Sequence, residues 1–254
     1  MKKIPLYLSG FVLLLLLKPL LVELFSADLS STVLGYVFDI VVRVLIAAYS
    51  LWLIYKSGYP SFNGLEPRLK ISNLQVLILP LLICIYFISR KDFNQVEAGL
   101  VLAFILSCTF TGVAEELFFR GLIFPAFFSG RKNAYLAAIL SSVVFGLVHF
   151  INLFRQPDNF SGILSQAIFA FSIGVYFSGL LIRTGSIFIP VLVHALVNIA
   201  FSGFARGSMH SIKDAASTGD QITTWVIFSL IFLSGIFMIR LNLDKFSVAK
   251  KIVE

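Results

Sequence analysis

The chain has 254 residues, 58% of them hydrophobic and only 13% charged, with a mean hydropathy of +0.94. A soluble core of this size cannot hide so much apolar surface, so the long apolar runs point to a bilayer as solvent. The net charge of +7 does not read as a nucleic-acid surface, because the positives sit in short polar segments between apolar runs.

Eight helical segments are expected, at about 4–25, 33–55, 73–89, 97–128, 134–151, 161–182, 187–204 and 222–240. The first follows Met-Lys-Lys and has the look of a secretory signal. Lys18-Pro19 interrupts its apolar run and no small-x-small cleavage site follows, so it is read as a membrane helix. The second carries Asp39 and Arg43, four residues apart and expected to pair with each other; Glu23 sits near a helix end. The third is short for a span. The fourth is long and must tilt, bend or protrude. Breaks fall at Ser57-Gly58-Tyr59-Pro60, Ser129-Gly130-Arg131-Lys132-Asn133 and Arg183-Thr184-Gly185-Ser186, all rich in turn formers. No long polar tract divides the chain, so residues 1–254 are expected to form a single membrane domain, an all-α polytopic bundle. Cys84 and Cys108 lie in apolar segments and suggest no disulfide framework. The 27 Phe read as lipid-facing surface and core.

Charge bias orients this scheme. With the N-terminus in the cytoplasm and the helices alternating, 12 Lys and Arg fall on the cytoplasmic side, among them Lys2, Lys3, Lys56, Arg131 and Arg183. Five fall opposite: Arg90, Lys91, Arg155, Arg206 and Lys213. Lys18, Arg43 and Arg120 lie within segments. The bias places both termini in the cytoplasm, and the Met-Lys-Lys start with short loops suggests a bacterial plasma membrane.

An ionisable group in a bilayer costs on the order of 2.5–3.5 kcal/mol by insertion scales, so each one is a functional candidate. They cluster in three helices. Glu115-Glu116-Leu117-Phe118-Phe119-Arg120 sets two carboxylates side by side, with Arg120 one turn after Glu116 and able to pair with it. Glu115 points about 100° away and is expected to stay free for chemistry. Phe145-Gly146-Leu147-Val148-His149 supplies a histidine, with Asn152 a turn beyond. His194-Ala195-Leu196-Val197-Asn198 presents two polar heads on one face. Counted from the turn near Arg131, Glu115 and His149 reach nearly the same depth of a helical hairpin. His194 lies about ten residues from the turn at Gly185, which suggests a pocket shared by the clusters and opening toward the cytoplasm.

The order EExxxR, FxxxH and HxxxN on successive membrane helices resembles the CPBP family, the group of CAAX prenyl endopeptidases and bacteriocin-processing Abi membrane proteins. The likeness covers about residues 97–204. It implies an intramembrane endopeptidase acting on a membrane-associated peptide or protein, prenylated and CAAX-like or leader-bearing. It further implies that Glu115 and His149 activate a water, that His194 and Asn198 donate to the oxyanion, and that Glu116, Arg120 and Phe145 support them.

The family is often labelled metalloprotease, and Glu115, His149 and His194 could supply three zinc ligands with water as the fourth. No HExxH is present, and a glutamate-activated water needs no ion, so a site without a cofactor is favoured with zinc held open. A second class stays open beside catalysis: a scaffold or bacteriocin self-immunity protein binding a peptide in the same pocket. A proton-coupled transporter is a third, disfavoured by the lack of inverted repeats.

Overall fold

A computed structural model describes residues 3–24, 32–57, 64–65, 75–89, 91, 96–131, 133–154, 156–202 and 218–242. Gly58, Tyr59 and Pro60 of the first expected turn lie outside them, as do Arg90, Lys132, Arg155, Arg206, His210 and Lys213. In chain order the helices are α1 (Ile4–Leu24), α2 (Val33–Ser57), α3 (Ile78–Ser89), α4 (Ala98–Phe118), α5 (Phe124–Arg131), α6 (Ala134–Val148), α7 (Phe160–Thr184), α8 (Phe188–Phe201) and α9 (Thr218–Leu241). A π-helical turn, Phe119–Ile123, joins α4 to α5, and a 3-10 turn, His149–Phe154, continues α6. No strand occurs among the described residues. Helix is what hydrocarbon demands, since each backbone N–H and C=O must find its partner within the chain.

The chain is an integral membrane protein with the expected all-α polytopic fold. Among the described residues, five helices are long and apolar enough to cross a membrane: Val33–Ser57, Ala98–Ser129, Ala134–Phe154, Phe160–Thr184 and Thr224–Leu241. Three shorter apolar helices, Ile4–Leu17, Gln75–Ser89 and Phe188–Phe201, complete the set. Two expectations change in detail. The long fourth segment stays continuous by inserting the π turn, which absorbs one extra residue and turns the following face. The seventh segment is shorter than expected. At 14 residues, α8 spans about 21 Å, less than a bilayer core of about 30 Å, and it ends where Ser202 turns extended at ψ 143°. Packed between α4 and α3, it need not face lipid along its whole length.

Close packing comes from small residues, as expected where no hydrophobic force drives helices together in lipid. A Cβ on Gly112 of α4 would lie 3.1 Å from the Ala195 backbone of α8, and one on Gly146 of α6 would lie 2.7 Å from the Ala167 carbonyl of α7. Gly235 of α9 is as tight, 2.7 Å from the backbone of both Val175 and Tyr176. At the end of α7, Gly185 takes the left-handed conformation (φ 66°) that the Arg183–Ser186 break anticipates.

Gly235→Ala separates two backbones that no side chain can move aside. Overpacking costs about 1–3 kcal/mol against roughly 1 kcal/mol of helix propensity gained, so the variant is expected to unfold at lower denaturant. Denaturation of the purified protein in detergent, compared with an Ala substitution at exposed Ser234, measures this.

Candidate active site

The three polar clusters meet. Glu116 and Arg120 are wholly buried and joined by an Arg120 Nη1 to Glu116 Oε1 contact of 3.1 Å. This is the i, i+4 pair expected from the spacing, although Arg120 already lies in the π turn. The same Glu116 Oε1 accepts from His194 Nδ1 at 2.8 Å. One carboxylate oxygen thus ties α4 to α8 and anchors the guanidinium.

Aromatic rings surround that guanidinium. Its centre lies 4.7 Å from the ring of Phe145, 5.3 Å from Phe177 and 6.0 Å from Phe119. Gly174 of α7 makes the space, since a Cβ there would sit 2.9 Å from Arg120 Nη2. Phe145 also meets the His149 ring edge-on at 5.1 Å and His194 at 6.0 Å, while Phe177 stacks on His194 at 5.1 Å. Phe145 therefore packs against all three polar clusters.

Glu115 faces the cavity and is held there from α2. Arg43 Nη1 of α2 donates to its Oε1 at 3.1 Å, and His194 Nε2 stands 3.7 Å from its Oε2, beyond direct hydrogen-bond reach. Arg43 was expected to serve Asp39 on its own helix; instead it reaches a carboxylate 72 residues away. Asp39 lines the same pocket. Arg43 is the site residue that the sequence reading assigned elsewhere. A local partner at i−4 is the only one spacing can reveal, and nothing in the pattern marks the distant one.

His149 opens the 3-10 turn, and its Nδ1 lies 2.9 Å from the Phe145 carbonyl. A carbonyl only accepts, so Nδ1 carries the proton and Nε2 keeps its lone pair for the pocket. Asn198 also lines the pocket, and its buried Nδ2 has no hydrogen-bond partner. Asn152 also lines the pocket and donates to Gln166, another lining residue, at 3.0 Å.

Glu115, His149, His194, Asn198, Arg43 and Phe145 share one cavity of about 460 Å³. Its wall includes Phe11, Leu15, Leu16 and Pro19 of α1, so the polar centre adjoins an apolar groove. Pro125 and Pro190 are both buried and line no part of it. The cavity is built from the end of the bundle away from the turns at 131–133 and 184–187, not from the end that carries them.

Among the described residues no three His, Cys, Asp or Glu side chains stand in a metal-binding cluster. One nitrogen of each site histidine is committed, His194 Nδ1 to Glu116 and His149 Nδ1 to Phe145. As placed, Glu115, His149 and His194 are not gathered into a three-ligand cluster, and each histidine keeps its Nε2 uncommitted.

These features define a class: a polytopic membrane protein with a polar, partly enclosed intramembrane pocket. Residues 97–200, which carry every motif, match the family model described as Type II CAAX prenyl endopeptidase Rce1-like. The resemblance read from the motifs is borne out over that segment. Two Bacillus subtilis proteins are similar. The uncharacterized protein YyaK is 32% identical over 112 residues, 44% of this chain and 36% of that protein. YdiL, named as a candidate membrane peptidase, is 30% identical over 119 residues, 45% of this chain and 43% of its own length. The matched part is thus less than half of either relative. No solved structure matches the chain.

Arg120→Met would leave the Glu116 carboxylate buried beside His194 with its main counter-charge gone. Removing one partner of such a pair costs about 3–5 kcal/mol. Denaturation in detergent is expected to show that loss, with part of it recovered when Glu116→Gln is added.

Proposed function

We propose that this protein is an intramembrane endopeptidase, hydrolysing a peptide bond with a water activated at Glu115 and His149. The observation that carries the reading is the shared cavity: a carboxylate, an imidazole with a free lone pair, and an unpartnered amide donor face one space next to an apolar groove. The family match over 97–200 and the peptidase name of YdiL support a protease over other hydrolases.

In the reaction, water donates its proton to Glu115 while its oxygen bonds to the scissile carbonyl carbon. His149 Nε2 orients that water by accepting its second hydrogen. The carbonyl oxygen becomes the oxyanion, met by Asn198 Nδ2 and, when the ring is protonated on both nitrogens, by His194 Nε2. The C–N bond then breaks, and Glu115 returns its proton to the leaving amine, yielding a carboxylate and an amine. Glu116 fixes the His194 ring through Nδ1, and Arg120 holds Glu116. An unpartnered buried N–H costs about 1–3 kcal/mol, so Asn198 is a donor placed in advance of its acceptor. The substrate is a membrane-associated peptide, CAAX-like or leader-bearing, whose apolar part lies along Phe11, Leu15 and Leu16.

Glu115→Gln is expected to abolish cleavage of a reporter peptide by purified protein, and Asn198→Ala to lower kcat about 10²–10³-fold. Mass spectrometry of released peptides reads both. Full cleavage by Glu115→Gln would end the assigned role.

Arg43 acts as a positioning residue, since its contact is with Glu115 rather than with the reacting bond. Arg43→Gln is expected to lower kcat with KM little changed, and Arg43→Lys to restore part of the rate. A purely structural role would instead lower stability and leave the kcat of the folded fraction intact.

A further inference from the structure

The two ends of the bundle are chemically unlike, and only one of them opens to the site. At the first end, the Ile187 N–H donates to the Gly64 carbonyl at 2.9 Å, bringing the segment after α2 against the α7–α8 turn. That end also holds the start of α1, the α5–α6 turn and the end of α9. At the second end, Lys91 Nζ donates to the Ser202 carbonyl at 2.8 Å, joining the segment after α3 to the end of α8.

The cavity lining belongs to the second end. From α2 it takes Tyr36, Asp39, Val42 and Arg43, all in the helix's first half, and from α8 His194 at its middle and Asn198 in its last turn. From α7 it takes Gln166 alone, near the start. Its rim reaches Phe154, 81% exposed, and Ser202, also exposed. Toward the first end the cavity is closed. Phe118, Arg120, Leu122, Ile123 and Phe124 are all fully buried beneath Glu115.

The Lys and Arg of the sequence divide by the same ends. Among the described residues, Lys3, Lys56, Arg131, Arg183 and Arg240 stand at the first end and Lys91 at the second. Short segments rich in Lys and Arg stay in the cytoplasm. The first end is therefore cytoplasmic, and the closed floor lies between it and the carboxylates.

We infer that the active site opens to the extracytoplasmic side, so that its substrate is a peptide segment exposed at the outer surface of the membrane rather than a cytosolic tail. This rests on the proteolytic reading for the word substrate, though not for the direction of the opening. A peptide enters past Phe154 and Ser202, its apolar portion held by the α1 wall at Leu15, Leu16 and Pro19, and its scissile bond reaches Glu115 from above. Cytosolic peptides meet only the packed Arg120 layer.

Single cysteines in a Cys84→Ala, Cys108→Ala background test the direction without needing activity. Phe154→Cys and Ser202→Cys mark the rim, and Lys56→Cys marks the opposite end. With a membrane-impermeant maleimide, the rim cysteines are expected to label in spheroplasts, and Lys56→Cys only in inverted vesicles. Rim cysteines that label only in inverted vesicles, with Lys56→Cys labelling in spheroplasts, would overturn the inference. Wild-type protein is also expected to cut an impermeant reporter peptide outside right-side-out vesicles and not outside inverted ones; the reverse preference likewise overturns it. Absence of cleavage on both sides with the expected labelling would count against the protease and leave the direction standing.

Discussion

The Glu116 carboxylate is the constraint on which the rest of this structure depends. Its Oε1 accepts from Arg120 of the π turn and from His194 of α8, with both acid and guanidinium fully buried. Neither charge could enter the bundle alone, because a lone buried ion costs several kcal/mol. Together they need three fitted surroundings: the aromatic faces of Phe145 and Phe177, the gap left by Gly174, and a histidine turned toward the acid. They come from α6, α7 and α8, so forming the pair brings α4, α6, α7 and α8 into one arrangement.

From that arrangement the division of labour between two adjacent carboxylates follows. Glu116 is fully buried and held by Arg120 and His194. Glu115, about 100° around the helix, faces the cavity, where Arg43 steadies it and the free nitrogen of His194 looks across at it. The orientation of His194 is thus set by one glutamate for the benefit of the other. Arg43 matters for the same reason: it comes from α2, outside the segment that matches the family model, and makes the flanking helices part of the site rather than a membrane anchor.

Much of this was legible in the sequence because bilayers penalise stray charge. The few ionisable residues inside apolar runs had to have partners, and counting from the Arg131 turn placed Glu115 and His149 in one pocket. The Glu116–Arg120 pair followed from one-turn spacing. Less legible were features decided by tertiary packing. The π turn adds a residue to the register without any Pro or polar residue to announce it. The shortness of α8 depends on its lying between α4 and α3. Arg43 has an acid one turn away, so its longer reach to Glu115 was hidden by a nearer candidate. Which end of the bundle the pocket lies toward was also hidden, because distance from the Gly185 turn measures depth along α8 but says nothing of where the packed Arg120 layer sits.

Oxygen-isotope tracing of a single turnover bears most directly on the central claim, that Glu116 is structural while Glu115 delivers a solvent water to the peptide bond. With reporter peptide and excess enzyme in H2¹⁸O, the account predicts one ¹⁸O atom in the new carboxylate of the product and none in the enzyme peptide containing Glu115 and Glu116. Label in either glutamate, with an unlabelled product, would mean a covalent acyl-enzyme and would contradict the account.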